Sequence, residues 1–171
     1  MVFNLKELCS CITKGTTPST VGYNFTSAGI NFIKSEQIVS DRQISFSNKF
    51  YISLEAHNCL KRSQLQENDL LISIAGAYLG KLALVNKDNL PANTNQAVGI
   101  IRTKQNLINP LYLFYYLSTT KMKQIISSFN AQSAQPNINL TQLGSLPIEV
   151  PDLSKQLHIV NTISSLLLKF L

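Results

Sequence analysis

Residues 68–85, which read NDLLISIAGAYLGKLALV, carry the clearest structural signal in the chain. A turn-forming Asn-Asp pair comes first, and the apolar run over residues 70–74 predicts a buried strand. Two glycines then interrupt the pattern, and residues 81–85 resume extended structure. The segment therefore predicts a strand, a second strand, and between them a glycine loop that positions Tyr78 and Lys81.

Shorter patterns on both sides of this segment predict further elements. Residues 97–102 predict another strand, and Ile30 and Phe32 belong to a short one upstream. Asn109-Pro110 is typical of a helix start, with asparagine as the cap and proline in the first turn. We therefore expect a helical region from this pair towards residue 129, with a break near residues 118–120.

Three short segments complete the expected elements. Residues 4–15 predict an amphipathic helix, because Asn4 and Glu7 have the spacing of a helix cap and the apolar residues that follow share one face. Residues 53–60 fit one or two helical turns. Residues 147–151 predict a short extended piece between two prolines, which favours an edge position.

The last segment, residues 153–171, predicts a helix with Ser154 as its cap. Four apolar residues recur there at spacings of 4, 3 and 4, which is the pattern of a coiled-coil seam. The candidate partner-contacting residues are Ile159, Ile163, Leu166 and Phe170. We expect residues 1–152 to form one domain and residues 153–171 to form the first turns of a longer helix.

Composition restricts the possible functions. The 171 residues include 16 Asn and 11 Gln, which together outnumber the 15 basic and 9 acidic residues. The net charge of +6 is compatible with a polyanionic partner. Residues 89–148 contain no carboxylate, so this stretch does not suit carboxylate catalysis or a calcium site. The positive charges in this stretch are Arg102, Lys104, Lys121 and Lys123.

The number of cysteines and the apolar segments predict the cellular compartment of the protein. Three cysteines do not suggest a disulfide framework, which indicates a reducing compartment. Lys6 and Glu7 interrupt the first apolar segment, which therefore lacks the uncharged core of a signal peptide. The apolar window over residues 70–85 is too short and too interrupted to cross a bilayer. We therefore expect a cytoplasmic protein with no membrane partner.

Several patterns that suggest chemistry are incomplete. The pairs Cys9-x-Cys11 and His57-x-Cys59 contain zinc-ligand residue types, but small buried thiols are the ordinary outcome. The two-glycine motif that ends at Lys81 lacks the spacing and the hydroxyl residue of a phosphate-binding P-loop.

Two other catalytic patterns are also incomplete. Residues 109–112 differ by one residue from the Asn-Pro-Pro-Tyr motif of adenine amino-methyltransferases, and no glycine-rich cofactor motif precedes them. His57 and His158 have no serine or cysteine nucleophile motif nearby. We therefore predict no catalytic residue, no metal and no cofactor.

Three polar loops remain as a functional signal. Asparagine and glutamine can each make two hydrogen bonds to adenine, whereas hydroxyl groups and lysines suit the DNA backbone. The three loops hold Thr16, Thr17 and Ser19, then Asn93, Asn95 and Gln96, then Gln132, Gln135 and Asn137.

The order of these segments resembles the target recognition domain of type I restriction-modification specificity subunits. The resemblance covers nearly the whole chain, and each of its seven motifs is weak alone. The motifs are Lys14-Gly-Thr-Thr-Pro-Ser19 after an apolar segment, Ile30-Asn-Phe-Ile-Lys34, Asn68-Asp-Leu-Leu-Ile-Ser73 running into Gly76-x-x-x-Gly80-Lys81, Asn93-x-Asn95-Gln96, Tyr112-Leu-x-Tyr-Tyr-Leu117, Gln135-Pro-Asn-Ile138, and Leu146-Pro-Ile-x-Val-Pro151 with Gln156 and Ile159.

The resemblance implies an α+β recognition domain with a strand-rich body and peripheral helices, followed by a long helical spacer. Such a subunit catalyses no reaction. It reads half of a bipartite sequence in double-stranded DNA and docks methyltransferase subunits, which use S-adenosylmethionine, and an endonuclease and translocase subunit joins the complex. A typical specificity subunit contains two recognition domains, whereas one is present here. A second copy or a second recognition domain is therefore the expected partner of the last helix.

The resemblance and the residue types together give a set of DNA-binding candidates. The lysines and hydroxyl groups suit phosphate, and the tyrosine and amides suit base edges. The candidates are Lys14, Thr16, Thr17, Ser19, Lys34, Tyr78, Lys81, Asn93, Asn95, Gln96, Gln135 and Asn137. Two alternatives are a protein-interaction module that works through the last helix and a fragment of a stand-alone adenine methyltransferase.

Overall fold

A computed structural model describes residues 1–39, 43–129 and 137–169, with only the backbone of Leu168. The strands in these ranges are β1 Val2–Asn4, β2 Cys9–Lys14, β3 Phe25–Thr26, β4 Ile30–Ile33, β5 Tyr51–Ile52, β6 Leu70–Ser73, β7 Leu82–Leu84, β8 Ala92–Thr94, β9 Val98–Thr103 and β10 Pro147–Glu149. The α-helices are α1 Leu54–Cys59, α2 Pro110–Leu117, α3 Thr120–Ser128, α4 Leu140–Gly144 and α5 Leu153–Leu168. The fold is α+β, as expected.

The central sheet has the strand order β2-β9-β6-β7, and all its pairs are antiparallel. Every residue of β6 is buried. Leu70 and Ile72 belong to the core cluster that includes the helices, whereas Leu71 belongs to the cluster shared with residues near β4. Because side chains alternate along a strand, this division means that β6 is covered on both faces. The predicted strand, glycine loop and strand are confirmed.

A second sheet has the order β3-β5-β4-β8, and its β4–β8 pair is parallel. Phe32 and Ile52 of this sheet pack with Ala56 of α1 in a small core. A third, two-stranded sheet joins β1 to β10. The predicted extended piece over residues 147–151 is therefore a strand of a two-stranded sheet.

The predicted helix over residues 4–15 is wrong. Leu5–Leu8 form a single 3-10 turn, and the Asn4 backbone N–H donates to Glu7 Oε2 at 2.7 Å as the cap spacing predicts. From Cys9 the chain is a strand paired with β9. Apolar residues at positions 5, 8 and 12 fit a helix, but backbone pairing with a strand distant in the sequence decides the conformation.

The predicted helical region after residue 109 is confirmed, and its cap is the expected one. Asn109 Oδ1 accepts hydrogen bonds from the backbone N–H groups of Leu111 at 2.9 Å and Tyr112 at 3.1 Å. The helix breaks between α2 and α3, where Thr119 Oγ1 accepts from the Met122 N–H. The segment that contains residues 53–60 also forms the short helix α1.

The last helix, α5, begins one residue after Asp152, which is its cap in place of Ser154. Asp152 Oδ1 accepts from the Lys155 N–H at 2.9 Å, and the Ser154 hydroxyl donates to the same oxygen at 2.7 Å. These bonds, with the Ser154 hydroxyl first, lower the pKa of Asp152 to about 2. A carboxylate in this position suits the positive end of the helix dipole.

α5 is tied to α2 through Gln156, which is fully buried. Gln156 Oε1 accepts from the Asn109 N–H at 2.8 Å, and its Nε2 donates to Pro151 O at 2.8 Å and Leu107 O at 3.1 Å. No helix in the described ranges is long and apolar enough to cross a membrane.

Candidate functional site

Several loops emerge at one end of the central sheet. β2 and β6 end there, at Lys14 and Ser73, and β7 and β9 begin there, because neighbouring strands run in opposite directions. β8 ends at Thr94 and leads directly into β9. We call the resulting surface the loop face and define it as residues 14–20, 74–81, 94–97 and 137–138.

Backbone hydrogen bonds join the segments of the loop face. The Thr16 N–H donates to Thr94 O at 3.0 Å, and the Ile74 N–H donates to Ala97 O at 2.8 Å. The Ile138 N–H donates to Ile74 O at 2.8 Å, which attaches the segment from the second half of the chain. The loop face is thus a continuous hydrogen-bonded surface.

Gly15 permits a close backbone approach within the loop face. A Cβ atom at this position would lie 2.1 Å from Thr94 O and 2.3 Å from Asn95 O. Both neighbours are backbone atoms that a side chain cannot displace cheaply. The glycine in the predicted Lys-Gly-Thr-Thr-Pro loop therefore has a packing role, since it lets this loop lie directly on the segment after β8.

The structure brings together the first two predicted polar loops. The Thr17 hydroxyl donates to Gln96 Oε1, and the Arg62 guanidinium donates to Thr16 Oγ1 at 3.1 Å. Ser19 is exposed and lies next to these groups in the 3-10 turn Pro18–Val21, where its carbonyl accepts a hydrogen bond from the Gly22 N–H. Sequence reasoning missed Arg62, for which a basic pair after α1 is the only signal.

Tyr78 and Lys81 lie in the glycine loop, as predicted. Gly76 and Gly80 have φ angles of 77° and 79°, which glycine adopts without steric cost. The Lys81 ammonium lies 4.8 Å from the centre of the Tyr78 ring. Both side chains are exposed, so the loop presents a cation beside an aromatic ring.

Lys34 reaches the same end of the molecule from the second sheet. β4 runs parallel to β8 with Ile33 opposite Thr94, so Lys34 follows at the level where the loop after β8 begins. Its ammonium lies 3.5 Å from the centre of the Phe50 ring and 4.8 Å from that of Phe25. Sequence reasoning did not anticipate these two rings, which hold the cation by cation–π interactions.

The amides of the second and third predicted loops differ in their environments. Asn93 is fully buried and bonded within the protein, so the expectation that it faces a base edge is corrected. Gln96 is exposed, and Asn95 is partly exposed with a buried Oδ1 that has no hydrogen-bond partner in the described part of the chain. Asn137 is exposed and forms a β-bridge with Ala75. Gln132 and Gln135 lie outside the described residues.

The positive charges of residues 89–148 do not form one free surface. Arg102 makes two hydrogen bonds of 2.7 Å to the carboxylate of Asp69, which is fully buried. This hydrogen bonding is the main reason why the pKa of Arg102 is raised. Lys121 contacts Glu149 at 3.3 Å. Acidic residues from outside the stretch thus neutralise two of its four charges.

The cations around the loop face come from other parts of the chain. Lys14 and Lys81 are exposed, and Lys34 and Arg62 reach the surface from β4 and from the 3-10 turn Lys61–Ser63. The side-chain carboxylates that form ion pairs in the described ranges pair with other cations. These four cations can therefore meet an anionic ligand.

The residues of the incomplete catalytic motifs serve the fold. Asn109 caps α2, and the Tyr112 hydroxyl donates to Glu149 O at 2.8 Å, so both polar groups of this motif have internal partners. Burial raises the pKa of Cys9 to about 12 despite the opposing charge of Lys104, so its thiol stays protonated. Among the described residues, no group of three or more His, Cys, Asp or Glu side chains could hold a metal ion.

The predicted seam of α5 is only partly exposed. Ile159 and Leu166 are exposed and Ile163 is half-buried, whereas Phe170 lies outside the described residues. Further exposed apolar residues of this helix are Leu153, Leu157 and Leu167. Ile159 and Leu166 lie seven residues apart and so share one face of α5, which is apolar and uncovered within the described part of the chain.

Comparison with known proteins gives one consistent family. The family model described as the type I restriction modification DNA specificity domain matches residues 1–170. The specificity subunit of the type I restriction enzyme EcoBI from Escherichia coli is 27% identical over 128 residues, which cover 75% of this chain and 27% of that protein.

Solved structures share the fold. The HsdS subunit from Thermoanaerobacter tengcongensis aligns with a TM-score of 0.74 at 16% identity and covers 99% of this chain and 42% of that chain. A chain from work on assembly and conformational transition of the type I restriction-modification system aligns with a TM-score of 0.74 at 19% identity, covering 99% of this chain and 38% of that one.

The chain spans less than half the length of these relatives. The family match, by contrast, covers all but the last residue, and specificity domains of this kind recognise DNA without catalysing a reaction. The chain belongs to the family of type I restriction-modification DNA specificity domains.

Proposed function

We propose that this chain reads one half of a bipartite DNA target as a recognition domain of a specificity subunit. The observation that supports the proposal best is the loop face, where several loops joined by backbone hydrogen bonds present amides, hydroxyl groups and cations together. Amides read base edges and cations contact phosphate, so one surface can supply both affinity and specificity.

The two kinds of contact divide among named residues. Lys14, Lys34 and Lys81 contact phosphate, and the hydroxyl groups of Thr16 and Ser19 assist them, whereas the Thr17 hydroxyl donates to Gln96 Oε1 and orients that amide. The base-reading groups are Tyr78, Asn95, Gln96 and Asn137, and Gln135 belongs to the same set by sequence. A surface that combines cations, amides and an aromatic ring suits duplex DNA, because phosphates lie beside base edges in the grooves.

The remaining assignments concern the assembled system in the cytoplasm. Residues 1–152 form the recognition domain, and residues 153–171 begin the helix that docks the methyltransferase subunits, which carry out the chemistry with S-adenosylmethionine. The endonuclease and translocase subunit joins through that complex. The exposed apolar residues of α5, such as Leu157 and Leu166, support a helical partner, either a second recognition domain or a second copy of this chain.

Salt-dependent DNA binding tests the proposal. Binding of the chain to a fluorescent duplex is measured by anisotropy from low to physiological salt, with a polyanion such as heparin as a competitor. We expect the affinity to fall linearly on a log–log plot of affinity against salt, because phosphate contacts release counterions. The proposal is contradicted if the affinity for the duplex does not change with salt concentration, or if the chain does not prefer DNA over heparin.

A further inference from the structure

The amide of Asn93 can have only one orientation. Asn93 is fully buried, and its Nδ2 donates to Leu60 O and Ser63 Oγ, both at 3.1 Å. The Ser63 hydroxyl donates its own hydrogen to Leu60 O at 3.1 Å, so its oxygen must accept from Asn93. A carbonyl oxygen only accepts, and both hydrogens of Nδ2 are therefore used. Asn93 Oδ1 remains as an acceptor.

This orientation decides which nitrogen of His57 carries a hydrogen. His57 Nδ1 makes a hydrogen bond to Asn93 Oδ1. Because Oδ1 cannot donate, Nδ1 must be the donor. In a neutral imidazole the other nitrogen, Nε2, then has a free lone pair and acts as an acceptor.

His57 presents this lone pair at the border of the loop face. The residue is half-buried and its Nδ1 faces a buried amide, so Nε2 lies on the side of the ring away from that amide. No hydrogen bond within the described ranges engages Nε2. The His57 carbonyl accepts from Gln64 Nε2 at 2.9 Å, and Gln64 forms a β-bridge with Asn93, one residue before Thr94.

We propose that His57 is a specificity-determining residue whose Nε2 accepts a hydrogen bond from an exocyclic amino group of a DNA base. Asn93 is a positioning residue that holds the Nδ1–H tautomer. Amino groups are the donors that bases display in the grooves, on adenine and cytosine in the major groove and on guanine in the minor groove. The proposal rests on the proposed DNA-reading function and adds a residue outside the predicted loops.

The tautomer is measured without DNA. Long-range ¹H–¹⁵N NMR spectra of the chain, recorded at a pH where the imidazoles are neutral, distinguish a protonated Nδ1 from a protonated Nε2. We expect His57 to show the Nδ1–H pattern, with His158 on the exposed surface of α5 as the internal reference. A protonated Nε2 in His57 overturns the proposal whatever the chain does with DNA.

The base contact is tested by selection from a random duplex pool with matched variants. His57→Asn keeps an N–H donor near the position of Nδ1 but removes the acceptor, whereas His57→Gln places an amide oxygen near the position of Nε2. We expect His57→Asn to retain DNA binding but to lose about tenfold discrimination at one position of the selected motif. His57→Gln should keep part of that discrimination. A His57→Asn variant that selects the wild-type motif with unchanged discrimination overturns the proposal.

Removal of the amino group from the DNA provides an independent readout. The base at the affected position is replaced by its analogue without the amino group: adenine by purine, cytosine by pyrimidin-2-one, or guanine by inosine. This replacement should weaken the binding of the wild-type chain about tenfold and leave the binding of His57→Asn unchanged. This experiment uses the wild-type chain, so it tests the base contact even if a variant fails to fold. If the wild-type chain binds the duplexes with and without the amino group equally tightly, the contact between His57 and the base is contradicted. A wild-type chain that selects no sequence instead contradicts the proposed function and the base contact together, while the NMR result stays interpretable.

Discussion

At the residue scale, substitutions of Lys81 and Gln96 are expected to affect DNA binding in different ways if the loop face binds DNA. Lys81→Ala should weaken binding to all sequences alike and reduce the salt slope by about one, because an ammonium contacts phosphate as a point charge. Gln96→Ala, and likewise Asn137→Ala, should cost about 1 to 3 kcal/mol on the cognate site and relax discrimination there. Titrations against cognate and single-mismatch duplexes measure both effects.

A lysine at the other end of the central sheet is the matched control. Lys87 is exposed and lies in the connection from β7 to β8, away from the loop face. Lys87→Ala should leave the salt slope unchanged. Amide variants that keep full discrimination while lysine variants lose it would reverse the assigned roles.

The three cysteines should differ in reactivity towards a thiol reagent. Only the thiolate reacts, and the pKa of Cys9 is raised to about 12 by burial, so this thiol stays protonated at pH values well below 12. Cys59 is exposed and should react first at mildly alkaline pH. Absorbance with an aromatic disulfide reagent counts the thiols. Denaturant should release all three, whereas three fast thiols in the native chain would contradict the burial of Cys9.

Sequence reasoning identified the amide-rich segment after β8 but not the role of each amide. Asn93 is buried, whereas Gln96, three residues later, is exposed. The difference follows from the partners of Asn93, namely Leu60 and Ser63, which lie about thirty residues away in the sequence. Composition and spacing contain no information about such a long-range contact. The contact between His57 and Asn93 is also distant in the sequence, which explains why sequence reasoning considered His57 only in incomplete zinc-binding and catalytic patterns.

At the element scale, the prediction succeeded where a segment's own residues decide its conformation. Asn109 and Pro110 start α2, and the all-apolar run of β6 is a buried strand. The prediction failed for β2, because apolar residues at positions 5, 8 and 12 fit a helix as well as a 3-10 turn followed by a strand. Pairing with β9, about 90 residues later, decides between these conformations and is not visible in the local pattern.

Gln156 is expected to hold α5 on α2. Gln156→Leu removes three hydrogen bonds and leaves the Asn109 N–H and the carbonyls of Leu107 and Pro151 without this partner. Buried polar groups that lose a partner are costly, so the free energy of unfolding should fall by about 1 to 3 kcal/mol. Denaturant unfolding measures the change.

An exposed glutamine on another helix provides the control for this prediction. Gln124 lies on the surface of α3, so Gln124→Leu should change the free energy of unfolding by less than about 0.5 kcal/mol. Equal effects of the two substitutions would show that the buried amide of Gln156 contributes nothing specific.

At the scale of the whole molecule, the loop face combines residues from distant parts of the chain. Residues 14–20 meet the segment after β8, and Asn137 meets the glycine loop. The sheet order β2-β9-β6-β7 produces this convergence, because antiparallel neighbours bring the end of one strand beside the start of the next. The polar loops were therefore recognisable in the sequence, whereas their assembly into one surface depended on topology.

The uncovered face of α5 predicts association of the chain. Ile159 and Leu166 are 36% and 51% exposed and share one helix face, and an exposed apolar helix face in water favours contact with another helix. Light scattering should detect a species larger than a monomer that increases with concentration. Ile159→Glu combined with Leu166→Glu should shift the chain towards the monomer without loss of thermal stability, because neither side chain belongs to the core.

Asn161→Glu, at an exposed polar position of the same helix, adds a negative charge without removing apolar surface. It should therefore leave the association unchanged, and this comparison separates a hydrophobic contact from a general effect of charge. A chain that stays monomeric at high concentration, or whose association responds equally to the paired substitution at Ile159 and Leu166 and to the substitution at Asn161, would mean that the apolar face of α5 does not bind a second copy. A heterologous partner, such as the helix of a second recognition domain, would then be the remaining occupant of this face.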